Sequence, residues 1–313
     1  NALELAVLGV RDNGTEINMA IKAEPGSAAG TIRYYAEALD KIYGEIAPTS
    51  LDILGMIHKE PVGVVGAIIP WNFPMMIGAW KLGPALAMGN SVVLKPSETA
   101  SLSLMKMCDL ALEAGLPAGV LNYVSGEGAV VGEAMGLSMD VDVLVFTGSG
   151  GTGRRLMEYA ARSNMKRVYL ELGGKSPNII FADAPDLDEA AKVAAGGIFR
   201  NSGQVCVAGS RLLVEASIHD EFVAAVAKAA VGMRVGDPLD MTTAIGAVNS
   251  EIQLTQNLGF VETAVKEGGE IALGGTRILQ DTGGYYMAPT IVTGVTPEAT
   301  LTQKEVFGPV LGV

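Results

Sequence analysis

Short apolar runs alternate with amphipathic segments of helix length through the middle of the chain. The runs cover residues 62–69, 91–94, 120–124, 143–146 and 167–172. Strands that alternate with helices in this way are typical of a parallel sheet covered by helices on both faces. The pattern therefore predicts an α/β fold for this part of the chain.

The segments on either side of these runs have their own patterns. Residues 1–48 are mostly helical in character, with an interruption at Glu24-Pro25-Gly26. A second α/β unit begins near Gly173-Gly174, and we expect its first elements to be a strand at 178–181, a helix at 186–200, a strand at 211–214 and a helix at 218–231. Glycines at this join suit a hinge or a cleft between domains.

One uncharged stretch, residues 61–80, is long enough to cross a bilayer. Pro61, Pro70 and Pro74 divide it into a short apolar strand, a loop and the start of a helix. We therefore expect buried core in this region.

The composition limits the class of protein. A hydrophobic content of 49% over 313 residues allows a sizeable core, in two domains or one large unit. The net charge of −12 argues against nucleic acid and anionic membranes as partners. Two cysteines provide no disulfide framework, which favours a reducing, cytoplasmic setting. Because the chain starts at Asn1 and stops inside an apolar run, we expect both ends to be cut.

A glycine-rich segment follows the fourth apolar run. Gly148, Gly150 and Gly153 match the G-x-G-x-x-G dinucleotide fingerprint, and Glu171 lies at a spacing that suits a ribose-binding acid. However, that fingerprint normally occupies the first strand-to-helix turn of its sheet. An ordinary glycine-rich turn at a helix N-terminus is therefore an equal alternative.

The two cysteines lie in different surroundings. Cys108 falls in an amphipathic helical pattern, where a buried, inert thiol is expected. Cys206 follows a helix in a polar, turn-forming segment where a thiol could contact a ligand, although a lone cysteine is more often structural. His58 and His219 lie among charged residues at the surface, which disfavours a Cys-His hydrolase. Without an H-E-x-x-H or C-x-x-C pattern, no metal site is expected.

Asn72 stands among apolar neighbours after a buried strand. Its amide must find hydrogen-bond partners there or remain available to a ligand. It could hold its loop in place, or it could stabilise an oxyanion in a dry cleft.

Six segments, in this order, resemble the aldehyde dehydrogenase superfamily. They are Pro70-Trp71-Asn72-Phe73-Pro74, Lys95-Pro96-Ser97-Glu98, Phe146-Thr147-Gly148-Ser149, Glu171-Leu172-Gly173-Gly174-Lys175, Gly203-Gln204-Val205-Cys206 and Glu305-Val306-Phe307-Gly308-Pro309. The resemblance covers essentially the whole chain and suggests the branch that oxidises betaine-, amino- and related semialdehydes. The chain departs from many relatives at Gly150-Gly151 and at Gln303-Lys304.

The resemblance implies NAD-dependent oxidation of a small aldehyde to a carboxylic acid. Cys206 would be the nucleophile, and Asn72 with the backbone N–H of Cys206 would form the oxyanion hole. Glu171 would activate the water that hydrolyses the thioester. Two alternatives remain: transfer of the acyl group to coenzyme A, which would not need Glu171, and a non-catalytic binding or structural relative.

The resemblance also implies an NAD site and corrects the interpretation of the fingerprint. Lys95 and Glu98 would hold the adenosine ribose, Ser149 the pyrophosphate, and Glu305 the nicotinamide ribose. The glycine match at Gly148 is then partly accidental. The full set expected to contact the cofactor is Ile69, Pro70, Trp71, Lys95, Ser97, Glu98, Gly128, Phe146, Gly148, Ser149, Thr152, Leu172, Glu305 and Phe307.

The implied fold is a parallel, Rossmann-like NAD-binding sheet with helices on both faces, together with an α/β catalytic domain. Residues 1–49 would be the helical N-terminal part of the NAD-binding domain, and residues 50–62 a bridging segment used in oligomerisation. The NAD-binding domain would continue over 63–172, and an incomplete catalytic domain would occupy 173–313. A complete protein of this family is expected to form homodimers or homotetramers.

Overall fold

The structure is a computed structural model that describes residues 1–313 and divides into two compact units. The central unit is Lys22–Glu171, and the terminal unit combines Leu3–Ile21 with Leu172–Val313. The helices α1 to α11 are, in order, Ala2–Asn13, Ile17–Ala23, Pro25–Ala38, Pro74–Ala87, Leu102–Glu113, Gly128–Leu137, Gly150–Ala161, Leu187–Phe199, His219–Val231, Glu251–Lys266 and Thr300–Gln303. The strands β1 to β14 are Glu45–Ala47, Gly55–Ile57, Val64–Ile68, Ser91–Lys95, Leu121–Tyr123, Val143–Gly148, Arg167–Leu172, Pro177–Ile180, Arg211–Val214, Glu270–Leu273, Arg277–Ile278, Tyr286–Met287, Thr290–Thr293 and Val310–Gly312.

The central unit is built on a five-stranded sheet in the order β5-β4-β3-β6-β7. Strand β3 pairs in parallel with both β4 and β6, and β4 pairs in parallel with β5. The chain therefore starts in the middle of the sheet, moves outward to β5, and returns beside β3 to build the other half. This doubly wound order confirms the predicted parallel sheet, and each of the five apolar runs forms one strand.

Burial explains why the middle strands read as continuous apolar runs. Four of the five residues of β3 are buried, because helices cover the sheet on both faces. Leu94 on β4 and Leu144 on β6 are completely buried beside it. Strand β7, at the edge of the sheet, instead alternates between exposed and half-buried residues and ends in the exposed Glu171 and half-buried Leu172.

The terminal unit contains a second five-stranded sheet, in the order β10-β13-β14-β9-β8. Its strands are parallel except for β10, which runs antiparallel to β13. Phe199 of α8 and Phe222 of α9 fill its core with Leu212 of β9. Helix α8 begins after Asp186, whose carboxylate accepts the Glu189 N–H at 2.9 Å. Such a cap stabilises a helix by about 1 kcal/mol. The predicted elements of this unit are confirmed.

The prediction of helix through residue 48 is wrong for its last ten residues. Helix α3 ends at Ala38, and after a short 3-10 turn at Leu39–Lys41 the chain forms β1, which pairs antiparallel with β2. Glycine is required at position 44, because a Cβ there would lie 2.6 Å from the carbonyl oxygen of Ile57. The pairing of β1 with β2 therefore overrides the local helical pattern.

The first 21 residues pack differently from the predicted domain division. Leu3–Ile21 cluster with the C-terminal part of the chain rather than with the central sheet. The Ile17 N–H donates to the Pro238 carbonyl at 2.8 Å, and the Ala247 N–H donates to the Gly14 carbonyl at 3.0 Å. These backbone bonds join segments more than 200 residues apart, which no local pattern reveals.

The uncharged stretch at 61–80 forms the strand, loop and helix start that its prolines predicted. Ala67 on β3 and Phe73 before α4 are buried, and Pro74 is the first residue of α4. No helix in the structure combines the length and the apolar character needed to span a membrane.

Candidate active site

The loop after β3 carries four of the residues singled out from the sequence. The Ile69 N–H donates to the carbonyl oxygen of Lys95 at 2.9 Å, which extends the β3–β4 ladder by one residue. Pro70 and Trp71 are half-buried, and Asn72 is only 3% exposed. The loop therefore leaves the sheet at its carboxyl edge with the Asn72 amide already enclosed.

Lys95 ends β4 at the same edge of the sheet. Its side chain is 2% exposed, and its ammonium lies 3.0 Å from one carboxylate oxygen of Glu98, whose side chain is 51% exposed. The other oxygen of Glu98 accepts the Gly128 N–H, the first of α6, at 3.3 Å. Ser97, between the two charged residues, lies 3.2 Å from the Thr99 hydroxyl. Strand end, loop and helix N-terminus thus converge on one half-exposed carboxylate.

The charge of Glu98 is maintained by these contacts. Partial burial raises the pKa of Glu98, but hydrogen bonds from its own N–H, the Lys95 ammonium and the Gly128 N–H outweigh burial and hold that pKa below its usual value. Glu98 is therefore a carboxylate at neutral pH and can accept hydrogen bonds from a hydroxyl group.

The end of β6 leads through Ser149 directly into α7. Phe146 is buried, and a Cβ on Gly148 would lie 2.5 Å from its ring, so a side chain does not fit at that position. The Ser149 hydroxyl accepts the Thr152 N–H at 3.3 Å and donates to the Thr152 hydroxyl at 3.0 Å. Ser149 is thus the N-cap of a helix whose first N–H groups point out of the carboxyl edge.

The second glycine of the fingerprint has no steric reason to be a glycine. A Cβ on Gly150 would meet only the end of the Arg154 side chain, at 3.8 Å, and one on neighbouring Gly151 would meet nothing within 4 Å. The fingerprint also follows the fourth strand of the sheet to be formed along the chain, not the first. Both observations favour an ordinary capped turn over the dinucleotide fingerprint in its usual sense.

A buried carboxylate supports the helix that follows Asn72. Glu24 accepts the Met76 N–H, in the first turn of α4, at 2.9 Å. Burial raises the pKa of Glu24 to about 7, against the backbone N–H groups of Met76 and Met75, which lower it. The sequence suggested only an interruption of helix at this position, because its partner lies 52 residues away.

Lys81 is a functional candidate that the sequence interpretation missed. It is the only charged residue of α4, and its ammonium donates to the Thr147 hydroxyl at 2.7 Å. Burial lowers the pKa of Lys81 to about 8, and the negative charge of Glu171 raises it in part. The signal that could have identified it was a single lysine in an otherwise apolar helix.

In the terminal unit, Cys206 follows a buried, tightly constrained turn. Asn201, Ser202 and Gly203 are buried and have φ values of 50°, 52° and 70°, and Cys206 itself is half-buried. Cys108, in the central unit, is buried, and burial first and the nearby Asp109 second raise its pKa to about 11. The contrast agrees with the predicted inert role of Cys108. Neither cysteine forms a disulfide.

Glu305 lies against Gly173 and Gly174, which follow β7 near the start of the C-terminal segment of the terminal unit. Its carboxylate accepts the Gly174 N–H at 3.2 Å, and a Cβ on Gly173 would collide with it. Burial raises the pKa of Glu305, opposed by the Gly174 N–H and by the charge of Lys175. Phe307, two residues later, has a φ of 57° and accepts a hydrogen bond from Gln253 on its carbonyl oxygen.

Within the central unit, then, the structure brings Lys95, Glu98 and Gly128 together, and separately Lys81, Thr147 and Glu171. Within the terminal unit it joins Glu305 to Gly173 and Gly174, and a Cβ on Gly174 would lie 3.8 Å from the carbonyl oxygen of Cys206. The structure contains no cluster of three or more His, Cys, Asp or Glu side chains that could hold a metal ion.

A doubly wound sheet with charged and capping groups at its carboxyl edge is the architecture of the dinucleotide-binding α/β proteins. The model of the aldehyde dehydrogenase family matches residues 1–313, and the chain belongs to that family.

Several relatives agree with this assignment. The chain is 49% identical to the NADP/NAD-dependent aldehyde dehydrogenase PuuC of Escherichia coli, over 100% of this chain and 62% of that protein. It is 51% identical to an indole-3-acetaldehyde dehydrogenase solved with NAD+, with a TM-score of 0.97 over 100% of this chain and 63% of the other. It is 48% identical to a γ-glutamyl-γ-aminobutyraldehyde dehydrogenase from Burkholderia cenocepacia, with a TM-score of 0.95 over 99% of this chain and 62% of the other. The chain thus spans less than two thirds of each relative.

The buried Glu24 predicts a pH dependence of stability. Because its pKa is about 7 in the folded chain and 4.5 as an ordinary value, the folded chain holds a proton that the unfolded chain releases. The resulting stability is fully present below pH 4.5 and is lost as the pH rises through about 7, a change of about 3 kcal/mol in the free energy of unfolding. Glu24→Gln removes this titration.

Denaturant unfolding at pH 5 and pH 8 tests this expectation. The free energy of unfolding of Glu24→Gln, relative to the unsubstituted protein, should increase by about 3 kcal/mol between the two pH values. Glu37→Gln, at an exposed position of α3, is the control and should show no such change. Parallel pH profiles for Glu24→Gln and the unsubstituted protein would refute the assignment of Glu24 as a buried titrating group.

Proposed function

We propose that this chain carries out NAD-dependent oxidation of an aldehyde to a carboxylic acid through a covalent intermediate on Cys206. The observation that carries the proposal is the family match over residues 1–313, together with the presence of Cys206, Asn72 and Glu171 at the motif positions. The half-buried position of Cys206 after a constrained turn supports its role, since a nucleophile must be both reachable and oriented.

Each proposed catalytic residue has a defined task. The Cys206 sulfur, as a thiolate, attacks the aldehyde carbon and forms a thiohemiacetal. The side-chain amide of Asn72 and the backbone N–H of Cys206 donate hydrogen bonds to the oxyanion that develops. Oxidation of this adduct leaves a thioester on Cys206. Glu171 then takes a proton from a water molecule, which attacks the thioester carbonyl and releases the acid and the thiolate.

Lys81 is a charged group that lies near Glu171. Burial lowers the pKa of Lys81 to about 8, and the negative charge of Glu171 raises it in part. The bond to the Thr147 hydroxyl fixes the ammonium in place. We therefore propose Lys81 as a positioning group at the end of the site that holds Glu171.

The residues at the carboxyl edge of the central sheet fit a dinucleotide. Glu98 offers a half-exposed carboxylate for ribose hydroxyls, Lys95 lies beside it, and the N-termini of α6 and α7, with Ser149, offer N–H and hydroxyl donors for phosphates. In the terminal unit, the Glu305 carboxylate would hold the second ribose. NAD, when bound, supplies the acceptor for the hydride that the thiohemiacetal loses. We also assign to the cofactor site, from the motif positions, Ile69, Pro70, Trp71, Ser97, Gly128, Phe146, Gly148, Thr152, Leu172 and Phe307.

We propose amino- and semialdehydes as the substrate class. The relative named for γ-glutamyl-γ-aminobutyraldehyde, at 48% identity, supports this branch, although another relative is named for indole-3-acetaldehyde. We also propose that the protein forms a homodimer or homotetramer in a reducing, cytoplasmic setting. The β1–β2 hairpin and the loop within it expose large apolar side chains, including Ile46, Leu54 and Met56, which supports a role in self-association.

The first prediction from the proposed function concerns the nucleophile. Cys206→Ser should abolish aldehyde oxidation, because an alcohol without an adjacent base is a far weaker nucleophile than a thiolate. Cys108→Ser, the matched control, should retain most of the activity. Production of NADH from a panel of short aliphatic and amino aldehydes, with folding checked by circular dichroism, provides the measurement. Equal losses in two folded variants would mean that the nucleophile is misplaced.

A second prediction concerns the role of Glu171. Glu171→Gln keeps the shape of the side chain but cannot accept the proton of water, so acylated Cys206 should accumulate and NAD affinity should stay within about twofold. Mass spectrometry of the quenched reaction, beside an equilibrium NAD titration, gives both results.

Glu158→Gln, at an exposed position of α7, is the control and should leave Cys206 unacylated at the end of the reaction. If Glu171 bound the ribose instead, the variant would lose NAD affinity and show no acylated cysteine. Absence of acylation with unchanged affinity would likewise remove Glu171 from the hydrolytic step.

A third prediction concerns cofactor choice. The Glu98 carboxylate accepts hydrogen bonds from a ribose 2′-hydroxyl and repels a 2′-phosphate, so kcat/KM should be higher with NAD than with NADP. Glu98→Gln should reduce the NAD/NADP ratio of kcat/KM about tenfold, as expected for a hydrogen bond to a charged group. Steady-state kinetics with both cofactors measures the ratio, and a preference for NADP in the unsubstituted protein would contradict the role of Glu98.

A further inference from the structure

The turn before Cys206 has an unfavourable backbone conformation. Asn201 and Ser202 have φ and ψ values of 50° and 34°, and of 52° and 33°, in the left-handed region. For a residue with a Cβ this region costs about 1–2 kcal/mol, and here two such residues are adjacent. A conformation of this kind persists only where surrounding contacts determine it.

Two residues near the start of the chain hold Asn201. The Thr15 hydroxyl donates to the Asn201 side-chain carbonyl at 2.7 Å. The Asn201 N–H donates to a carboxylate oxygen of Glu16 at 3.2 Å. Both contacts are buried, and Glu16 is 3% exposed. The consecutive residues Thr15 and Glu16 therefore hold the side chain and the backbone N–H of Asn201, respectively.

The backbone beside Thr15 and Glu16 is itself fixed, by contacts with Gly246 and Ala247. The Ala247 N–H donates to the Gly14 carbonyl, and a Cβ on Gly246 would collide with that same carbonyl oxygen. The Ser202 hydroxyl donates to the Gly246 carbonyl at 2.8 Å. The segment Gly246-Ala247 thus fixes both Ser202 and the backbone that precedes Thr15 and Glu16.

Gln204 connects the turn at Asn201 to Cys206. The Gln204 side chain donates to the Asn201 carbonyl at 3.0 Å and accepts the Asn249 N–H at 2.8 Å. Gly203 touches the carbonyl of Gly308, where no Cβ would fit. A change in the backbone at Asn201 must therefore shift Gln204, two residues before Cys206.

We propose that Thr15 and Glu16 are positioning residues for Cys206, which clamp the left-handed turn at Asn201 and so aim the thiol at a carbonyl carbon. The inference rests on the proposed role of Cys206 as the nucleophile.

Two reagents distinguish the orientation of the Cys206 thiol from its general reactivity. Acylation by p-nitrophenyl acetate needs attack on a carbonyl carbon, forms the S–C bond and releases nitrophenolate. Alkylation by iodoacetamide displaces iodide and needs no oxyanion to be stabilised. Mass spectrometry of the full-length protein gives both rates for Cys206, and Cys108, buried in the central unit, reports unfolding in the same sample.

Glu16→Ala and Thr15→Val should each slow the acylation of Cys206 about tenfold or more, because small errors in orientation are costly in attack on a carbonyl. The alkylation rate should change less than about threefold. Glu16→Gln and Thr15→Ser, which keep the acceptor and the hydroxyl, should restore acylation to within about threefold of the unsubstituted protein. Thr243→Val, which removes a buried hydroxyl of the same unit that has no hydrogen-bond partner, is the matched control and should change neither rate.

Unchanged acylation in Thr15→Val and Glu16→Ala would overturn the proposal, and so would an equal fall in acylation and alkylation. If Glu16→Ala unfolds and exposes Cys108, the pair Thr15→Val and Thr15→Ser decides the question alone. A Cys206 that reacts with neither reagent in the unsubstituted protein would instead refute the proposed nucleophile, so the two failures are distinct.

Discussion

A parallel sheet with helices on both faces presents polar groups to a ligand at its carboxyl edge, and the residues that we propose as functional in the central unit follow from this constraint. There the strands end and the following helices expose their first N–H groups. Lys95 shows how strict the constraint is, since its buried ammonium is tolerated only beside the Glu98 carboxylate. That carboxylate in turn accepts the first N–H of α6. One ion pair therefore ties the end of a strand, a loop and a helix N-terminus to one another.

The parts of the fold that could be predicted are those in which the buried positions form a pattern among neighbouring residues of the sequence. Strands β3, β4 and β6 are covered on both faces, so each appeared in the sequence as an unbroken apolar run. Helix α8 was bounded by Asp186, a good N-cap at the predicted start. Cys108 was correctly placed in a buried face, because its neighbours repeat at helical spacing. In each case the pattern that identifies the element lies within a few neighbouring residues, even where the contacts that bury it come from distant segments.

The parts that could not be predicted depend on contacts between distant segments. Residues 39–48 carry a helical pattern, yet Gly44 allows the close approach of Ile57 and a hairpin forms. Glu24 and Lys81 looked like isolated charges, and their partners, Met76 and Thr147, lie 52 and 66 residues away.

The contact between Glu16 and Asn201 joins residues 185 positions apart. Closing a loop of that length costs entropy before any contact compensates for it. During synthesis, the segment around Cys206 leaves the ribosome long after Glu16, so the contacts that Thr15 and Glu16 make with Asn201 can form only after residue 201 has been made. The nascent chain would therefore carry Cys206 without the contacts that we propose to orient it until both segments are present.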